Sequence, residues 1–245
     1  MDEEFQDDLP RPQGDLNLIE AVVDHWERFL GPCTMVFDEI VSEFVHIDVY
    51  QFGPDPATGL TTFVTSGMAE KPMNVPAQVP NPEKYRYAGL VLQVPNYWIR
   101  SLGDVPVYQT WPIRELKQAA LLPHKRETWV WGGHTIRTDS AATLAPDTKF
   151  CATAIWPGFM LPEESWGLEM DDGRRIVFLS LGFLYQEELD YSRKHTQDGF
   201  MNYLEETDID LRDLIVFTPG RPNTCALPTC PAVQAKKPWW KLGKS

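Results

Sequence analysis

Two apolar runs of strand length, joined by a proline-rich loop, constrain the fold of this chain more than any other feature. Residues 60–65 (LTTFVT) and 87–92 (YAGLVL) are rich in aliphatic and β-branched side chains and lie between turn residues, a pattern typical of strands. Ser66-Gly67-Met68 ends the first run, and four prolines follow before the second. A Ser-Gly pair is ordinary turn chemistry, and the segment contains neither a nucleophile elbow nor a phosphate-binding loop. We therefore predict two scaffold strands, with Ser66 in a turn or at a helix cap.

Helical and strand-like periods alternate along the chain, and its 21 prolines argue against an all-helical bundle. The order helix, strands, helix, strands, helix, strand predicts a single α+β domain in which helices flank a mixed or antiparallel sheet. The predicted helices lie at residues 15–30, from Pro112 to Pro123, and, whole or interrupted, at 186–194 and 199–206. The predicted strands lie within residues 34–65, 87–94, 127–156, 168–183 and 214–217, with a hairpin turn at Asp171-Asp172-Gly173. Three parts are expected: a flexible acidic N-terminus (1–14), the domain (15–219) and a loose tail rich in Pro, Lys and Trp (220–245).

The chain is acidic, with a net charge of −13. An acidic surface repels the phosphates of nucleic acids and suits a basic protein partner, although acidity can also serve solubility alone. The sequence shows no signal peptide and no apolar run long enough to span a membrane. We therefore expect a cytoplasmic protein that binds another protein rather than nucleic acid or a membrane.

Cys225 and Cys230 form the one closely spaced pair among the four cysteines. Two thiolates can begin a zinc site, but a structural zinc needs two further ligands, and the sequence offers no second pair at suitable spacing. Three interpretations stay open: inert thiols of a reducing cytosol, a disulfide under oxidising conditions, and part of a metal site. We expect neither a metal nor a cofactor.

His134 is the histidine best placed for acid–base chemistry, because it follows Trp131-Gly132-Gly133 near a predicted hairpin tip. One hypothesis is a small hydrolase, metal-dependent or using His134 with nearby carboxylates; the other is a solvated turn residue. Ser66 lacks the G-x-S-x-G frame of an exposed nucleophile. We expect no catalytic residues and no enzyme activity.

An acidic cluster begins at Glu187 and Glu188 and continues with Asp190. Neighbouring residues on a helix point in different directions, so the cluster favours a solvated helix face or a partner-facing surface over a catalytic pair. The tail carries Lys236-Lys237-Pro238-Trp239-Trp240-Lys241, which could bind an acidic surface, a membrane interface or single-stranded nucleic acid. It could equally fold back onto the acidic body of the same chain.

Three segments together resemble the Suppressor of fused domain family in their order and spacing. They are residues 63–73 (FVTSGMAEKPM), 87–98 (YAGLVLQVPNYW) and 177–191 (VFLSLGFLYQEELDY), and the resemblance extends over about residues 18–217. Two positions depart from the family pattern: Gly89 stands where an acidic residue is usual, and Phe183-Leu184 replaces a Pro-Leu pair. The residues that carry the signature are Thr65, Gly67, Met68, Pro72, Met73, Leu90, Pro95, Trp98 and Glu188.

This resemblance implies a binding domain without enzyme activity. The animal relatives are two-domain proteins that grip an extended segment of Hedgehog-pathway transcription factors, and this chain is too short for the whole second domain. Bacterial single-domain relatives include immunity proteins that neutralise polymorphic toxins, and an acidic body suits a basic toxin domain. We therefore predict a bacterial immunity protein; a regulatory adaptor that binds through its sheet edge or its Trp-Trp tail is an alternative. The predicted contact residues are Asp171, Asp172, Glu187 and Glu188 for electrostatic steering, with Tyr97 and Trp98 as anchors.

Overall fold

The fold is that of a computed structural model, which describes residues 14–38, 44–137, 143–158, 160–195 and 210–225. The helices are α1 (Leu16–Leu30), α2 (Asn96–Ser101), α3 (Trp111–Lys125), α4 (described over residues 186–195) and α5 (Arg212–Ile215). The strands are β1 (Cys33–Phe37), β2 (Val49–Phe52), β3 (Leu60–Thr65), β4 (Ala88–Pro95), β5 (Thr135–Ile136), β6 (Ala152–Trp156), β7 (Gly167–Glu169) and β8 (Arg175–Leu184). None of the described helices is both long and apolar enough to cross a membrane.

The strands form one mixed sheet in the order β1-β2-β3-β4-β8-β6-β5, with β7 paired to β8 beside this path. The first four strands form an antiparallel meander. β4 and β8 then pair in parallel, with Ala88 opposite Val177 and Val91 opposite Ser180, while β6 and β7 run antiparallel to β8. The predicted α+β architecture with a mixed sheet flanked by helices is therefore confirmed.

Successive side chains of a strand point to opposite faces of the sheet, and a different helix covers each face. On β4, Leu90 and Leu92 pack in the cluster that α3 covers, whereas Val91 faces the cluster beneath α1. The α1 residues that enter this second cluster include Val22 and the fully buried Trp26. Full burial of a large apolar side chain stabilises a fold by about 1.5–3 kcal/mol, so both helices are anchored by ordinary core packing.

The segment from β3 to β4 is held by a left-handed turn and a side-chain bond. Gly67 has φ +81°, and a Cβ at this position would overlap the backbone carbonyl oxygen of His46, so only glycine fits. The hydroxyl of Thr65 accepts from the Leu90 N–H at 2.9 Å and so fastens β3 to β4. Ser66 lies buried in the turn that follows β3. This part of the sequence is scaffold.

Three predicted elements differ from the structure. Pro123 lies inside the last turn of α3 instead of ending it, because the Arg126 N–H still bonds to the Leu122 carbonyl oxygen at 2.9 Å. Residues 129–131 form no strand. The first half of the last predicted strand, residues 214–217, belongs to the helix α5: the side chain of Asp210 accepts from the Arg212 N–H and starts a helical turn.

The chain after α5 also differs from the predicted loose tail. Val216 bridges Gln93 in parallel, and the Phe217 N–H donates to the Gln93 carbonyl oxygen at 2.9 Å. Arg221 and Thr224 are buried, so residues 220–225 pack as part of the domain. The predicted helix at 199–206 and the rest of the predicted tail lie outside the described residues.

Candidate functional site

A cleft of about 690 Å³ opens where β4 and β8 end. Because these neighbouring strands are parallel, their carboxyl ends meet at one edge of the sheet, and crevices at such ends are common binding sites. Trp98 follows β4 on α2, and Tyr185 directly follows β8. The first turn of α3 supplies Trp111, and the segment after α5 supplies Phe217. We call this the aromatic cleft.

The aromatic rings of the cleft brace one another. Trp98 meets Phe217 edge to face with 5.1 Å between ring centroids, and Trp111 meets the same Phe217 ring at 5.1 Å. Trp111 also contacts Phe183 at 4.8 Å. Edge-to-face pairs at such distances add to the energy of burial, so these walls are rigid and preformed.

A buried ion pair between Arg221 and Glu188 stabilises the inner wall of the cleft. Arg221 donates to both carboxylate oxygens of Glu188, each at 2.7 Å. The same carboxylate accepts from the Tyr185 N–H at 2.9 Å and from the Thr224 N–H and hydroxyl, both at 2.8 Å. A buried carboxylate with so many donors has its charge well compensated. The pair thus fastens the segment after α5 to the start of α4.

The guanidinium of Arg221 is also held by rings and by the backbone. It lies 5.2 Å from the ring centroid of Phe150 and 5.0 Å from that of Tyr185, a cation–π arrangement, and it donates to the Phe183 carbonyl oxygen at 2.7 Å. The Tyr185 hydroxyl donates to the Arg221 carbonyl oxygen at 2.6 Å. Burial raises the pKa of Tyr185, so the phenol stays protonated as this bond requires. The inner wall of the cleft is therefore fixed.

The rim of the cleft is polar and exposed. Asp147, Lys149 and Glu187 line it. The Asn223 side chain donates to Glu187 at 2.6 Å and draws that carboxylate across the cleft edge. A preformed aromatic floor with a charged rim is the arrangement of a protein-binding hot spot.

The structure brings three of the six predicted contact residues to this cleft, but one of them in another role. Trp98, 8 % exposed, lies in the floor, and Glu187 lies on the rim. Glu188 is 0 % exposed, so its predicted place on a partner-facing surface is wrong: adjacent helical residues diverge, and Glu188 turns inward to Arg221. Tyr97, which precedes Trp98 on α2, is 54 % exposed.

Asp171 and Asp172 lie elsewhere, in the turn between β7 and β8. With the polar side of α1 they line a cleft of about 520 Å³, which we call the acidic face. The nine residue steps of β8 separate it from the aromatic cleft by about 30 Å at ~3.3 Å per residue. The carboxylates of the acidic face are Asp15, Glu20, Asp24, Glu169, Asp171 and Asp172.

Arg174 organises the acidic face. It pairs with Asp172 at 2.6 Å and with Asp15 at 2.9 Å, and it donates to the Ala69 carbonyl oxygen at 3.0 Å. The side-chain bond from Arg174 lowers the pKa of Asp15. Asp15 also caps α1 by accepting from the Leu18 N–H at 3.2 Å. Asp15 therefore stays ionised at neutral pH.

His134 stands in a structural setting. Its Nδ1 lies 3.3 Å from the Trp131 nitrogen, which donates to it, and its ring meets Trp129 edge to face at 4.6 Å. Burial lowers the pKa of His134. The partners that the structure gives this ring are tryptophans, and among the described residues no group of three or more His, Cys, Asp or Glu side chains could hold a metal ion. Cys225 packs beside a core cluster, and Cys230 lies outside the described residues.

The family-signature residues lie in two groups. Around the turn after β3, Met68 and Met73 are buried and Pro72 is exposed; near the cleft, Pro95 ends β4 just before Trp98. Sequence reasoning missed Trp111, Phe217 and Arg221, which line the cleft. It placed Phe217 in a strand and Arg221 in a loose tail, and it gave Trp111 no role. Arg221 stands alone between Gly220 and Pro222, so no motif marks it.

The model of the Suppressor of fused protein (SUFU) family matches residues 44–215. The chain belongs to the Suppressor of fused family. That match includes β2 to β8 and most of the cleft floor, and it confirms the resemblance seen in the sequence. No curated protein sequence matches the chain significantly.

Solved structures share the fold at low sequence identity. A SUFU homologue from Neisseria gonorrhoeae FA 1090 superposes with a TM-score of 0.58 at 16% identity, over 86% of this chain and 98% of that one. The structure of a Sufu-Fu complex gives 0.58 at 12% identity, over 88% and 93% of the two chains. Drosophila Suppressor of Fused gives 0.57 at 12% identity, over 82% of this chain and 49% of that one. At these identities the likeness concerns the fold.

Proposed function

We propose that this protein is a non-enzymatic binding domain, a bacterial immunity protein that acts in the cytoplasm by binding a basic toxin domain directly. The observation that carries the proposal is the aromatic cleft, a preformed apolar floor with an exposed charged rim. Aromatic floors of this kind supply the few contacts that dominate binding energy at protein interfaces. Membership of a family in which one solved structure is a Sufu-Fu complex supports a protein as the partner.

The acidic face and the cleft have different roles in binding: the first affects association and the second dissociation. The carboxylates of the acidic face, within a chain of net charge −13, attract a basic partner over long range and raise the association rate. Short-range contacts in the cleft then slow dissociation. Tyr97, which is exposed and precedes Trp98 in the chain, offers a further aromatic contact outside the cleft.

Co-expression with a toxin encoded by a neighbouring gene tests the proposal. We expect the protein to rescue cells from that toxin and to co-purify with it. Asp147→Lys with Glu187→Lys should weaken binding mainly through faster dissociation, whereas Asp171→Lys with Asp172→Lys, the matched charge change about 30 Å away, should mainly slow association at low salt. Failure of both rescue and co-purification would show that the proposal is wrong.

The outer edge of β1 favours a second candidate function, a regulatory adaptor that accepts a partner strand. β1 is the outermost of the described strands on its side of the sheet, and its Met35 and Val36 are 50 % and 41 % exposed. An extended segment could add to such an edge. Hydrogen exchange on a complex separates the two modes: protection of residues 33–37 supports strand addition, and protection of residues 217–224 supports the cleft.

A further inference from the structure

We propose that the aromatic cleft receives an arginine side chain of the partner, whose guanidinium stacks on the indole rings of the cleft and pairs with the carboxylates of its rim. The rings are those of Trp98 and Trp111, and the carboxylates are those of Asp147 and Glu187. This inference rests on the proposed function and deepens it, because it names the chemical group by which a basic partner is recognised. Three observations carry it: the arrangement of the rings, the charges on the rim, and a guanidinium that the structure already holds beside the cleft.

Three aromatic rings meet at one place in the cleft. The rings of Trp98 and Trp111 each lie 5.1 Å from the ring of Phe217, centroid to centroid, at interplanar angles of 86° and 85°. Both indole rings therefore stand nearly perpendicular to the same phenyl ring. Trp111 is only partly buried, so its ring is accessible from the cleft, whose volume of about 690 Å³ is in the range of sites for small ligands. The face of an indole ring attracts a cation more strongly than that of any other aromatic side chain.

The rim supplies the negative charge that a bound cation needs. Asp147 and Glu187 line the cleft and are exposed, together with one ammonium group, that of Lys149. Arg221 also lines the cleft, but Glu188 neutralises its charge. The described lining therefore carries an excess of negative charge. Carboxylates beside aromatic rings favour a cationic side chain over an apolar one.

The structure already holds one guanidinium by this combination of groups. Arg221 lies 5.2 Å from the ring centroid of Phe150 and 5.0 Å from that of Tyr185. Each oxygen of the Glu188 carboxylate accepts a bond from Arg221 at 2.7 Å. Arginine suits such a site better than lysine does, because its guanidinium is planar, weakly hydrated and able to bond to a carboxylate through two N–H groups. We therefore expect the partner's arginine to adopt in the open cleft the arrangement that Arg221 has in the inner wall.

A single capped arginine tests the inference without any partner. Acetyl-arginine amide is titrated into the isotope-labelled full chain and followed by NMR; acetyl-citrulline amide, which has nearly the same shape but no charge, is the control ligand. The indole N–H signals of Trp98 and Trp111, assigned with Trp98→Phe and Trp111→Phe, report on the cleft. We expect the arginine amide to shift both signals with a Kd on the order of 10 mM and to bind at least about fivefold more tightly than the citrulline amide. Acetyl-lysine amide with a free side-chain ammonium should bind more weakly than the arginine amide.

Two matched charge removals locate the contact. Glu187→Gln on the rim should weaken binding of the arginine amide by about two- to fivefold. Glu83→Gln, which changes an exposed carboxylate in the segment before the other end of β4, should leave it unchanged. Trp111→Leu should abolish the preference for arginine over citrulline, whereas Trp111→Phe retains an aromatic face and should keep part of that preference. Thermal melting checks that each variant folds.

Three results would overturn the inference: equal binding of the arginine and citrulline amides, tighter binding of the lysine amide than of the arginine amide, or the same loss of binding with Glu187→Gln and Glu83→Gln. None of these measurements depends on a toxin. Rescue of cells without arginine binding would refute the inference and leave the proposed function standing, and arginine binding without rescue would do the reverse.

Discussion

Replacing Glu188 by glutamine tests whether the buried ion pair holds the cleft together. The carboxylate of Glu188 accepts five hydrogen bonds: two from Arg221, two from Thr224 and one from the Tyr185 N–H. A glutamine amide keeps one acceptor oxygen and turns two donor hydrogens toward groups that themselves donate. The Glu188→Gln variant therefore leaves the Arg221 charge buried with little compensation.

The expected cost follows from that geometry. Removing one member of a buried, hydrogen-bonded ion pair lowers the free energy of unfolding by about 3–5 kcal/mol. For a domain of this size each kcal/mol corresponds to about 2–4 °C in Tm, so Tm should fall by roughly 6–20 °C. Urea titration followed by tryptophan fluorescence measures the change in the free energy of unfolding, because Trp98 and Trp111 both line the cleft.

Two controls make the test specific. Glu187→Gln alters the exposed neighbour, which makes one side-chain bond to Asn223, and should change stability by less than about 0.5 kcal/mol. Combining Glu188→Gln with Arg221→Met should cost at least about 2 kcal/mol less than the sum of the single changes, because the unpaired charge is gone. If Glu188→Gln lies within about 1 kcal/mol of the unsubstituted protein, the ion pair does not stabilise the cleft and the argument is wrong.

Three further predictions concern the scaffold. Gly67→Ala should lower the free energy of unfolding by about 3 kcal/mol in urea titration, because the new Cβ would overlap a backbone oxygen. Gly173→Ala is the control: this glycine also has positive φ, but the space around its Cβ is open, so the cost should be only about 1–2 kcal/mol. Equal costs would refute the steric argument. Burial lowers the pKa of His25, so as pH falls below about 6.5 the unfolded chain binds a proton that the folded chain resists, and the free energy of unfolding declines from about pH 7 to 5. Titration of His25→Gln over this range should give a shallower slope, and parallel slopes would contradict the assignment. Arg174→Ala, which removes the ion pairs that Arg174 makes on the acidic face, should lower Tm by about 4–8 °C. Arg175 forms an exposed ion pair with Glu169, so Arg175→Ala should change Tm by no more than about 1–2 °C. Similar shifts for the two variants would show that Arg174 has no special role.

Local pattern predicted much of the architecture. The helix at 15–30, the strand at 87–94 and the hairpin at Asp171-Asp172-Gly173 all appear in the structure, with boundaries shifted by one or two residues. Each depends on interactions between near neighbours: a capping carboxylate, an apolar period, or a turn that needs glycine. Such signals are complete within a dozen residues, so the sequence can display them.

The predictions that missed depend on distant partners. Residues 214–217 have the composition of a strand, yet Asp210 starts a helical turn there and only Val216 bridges to β4. The segment from 220 reads as a loose tail, yet Glu188, 33 residues earlier, holds Arg221. The bridge from Val216 to Gln93 and the ion pair of Arg221 with Glu188 cannot be read from spacing, because in each case the partner lies far away in the chain.

By itself, the sequence determined the α+β class and the chain's acidity, since these follow from local periods, turn residues and composition. The resemblance of three segments, in their order and spacing, indicated the family. Only the tertiary structure decided which of two adjacent glutamates faces solvent and which is buried, and which aromatic residues share a cleft. The reason is physical: the parallel pairing of β4 and β8 brings residues 98 and 185 to one edge. Because Glu188 is buried there, its carboxylate depends on the opposite charge of Arg221, which the segment after α5 supplies.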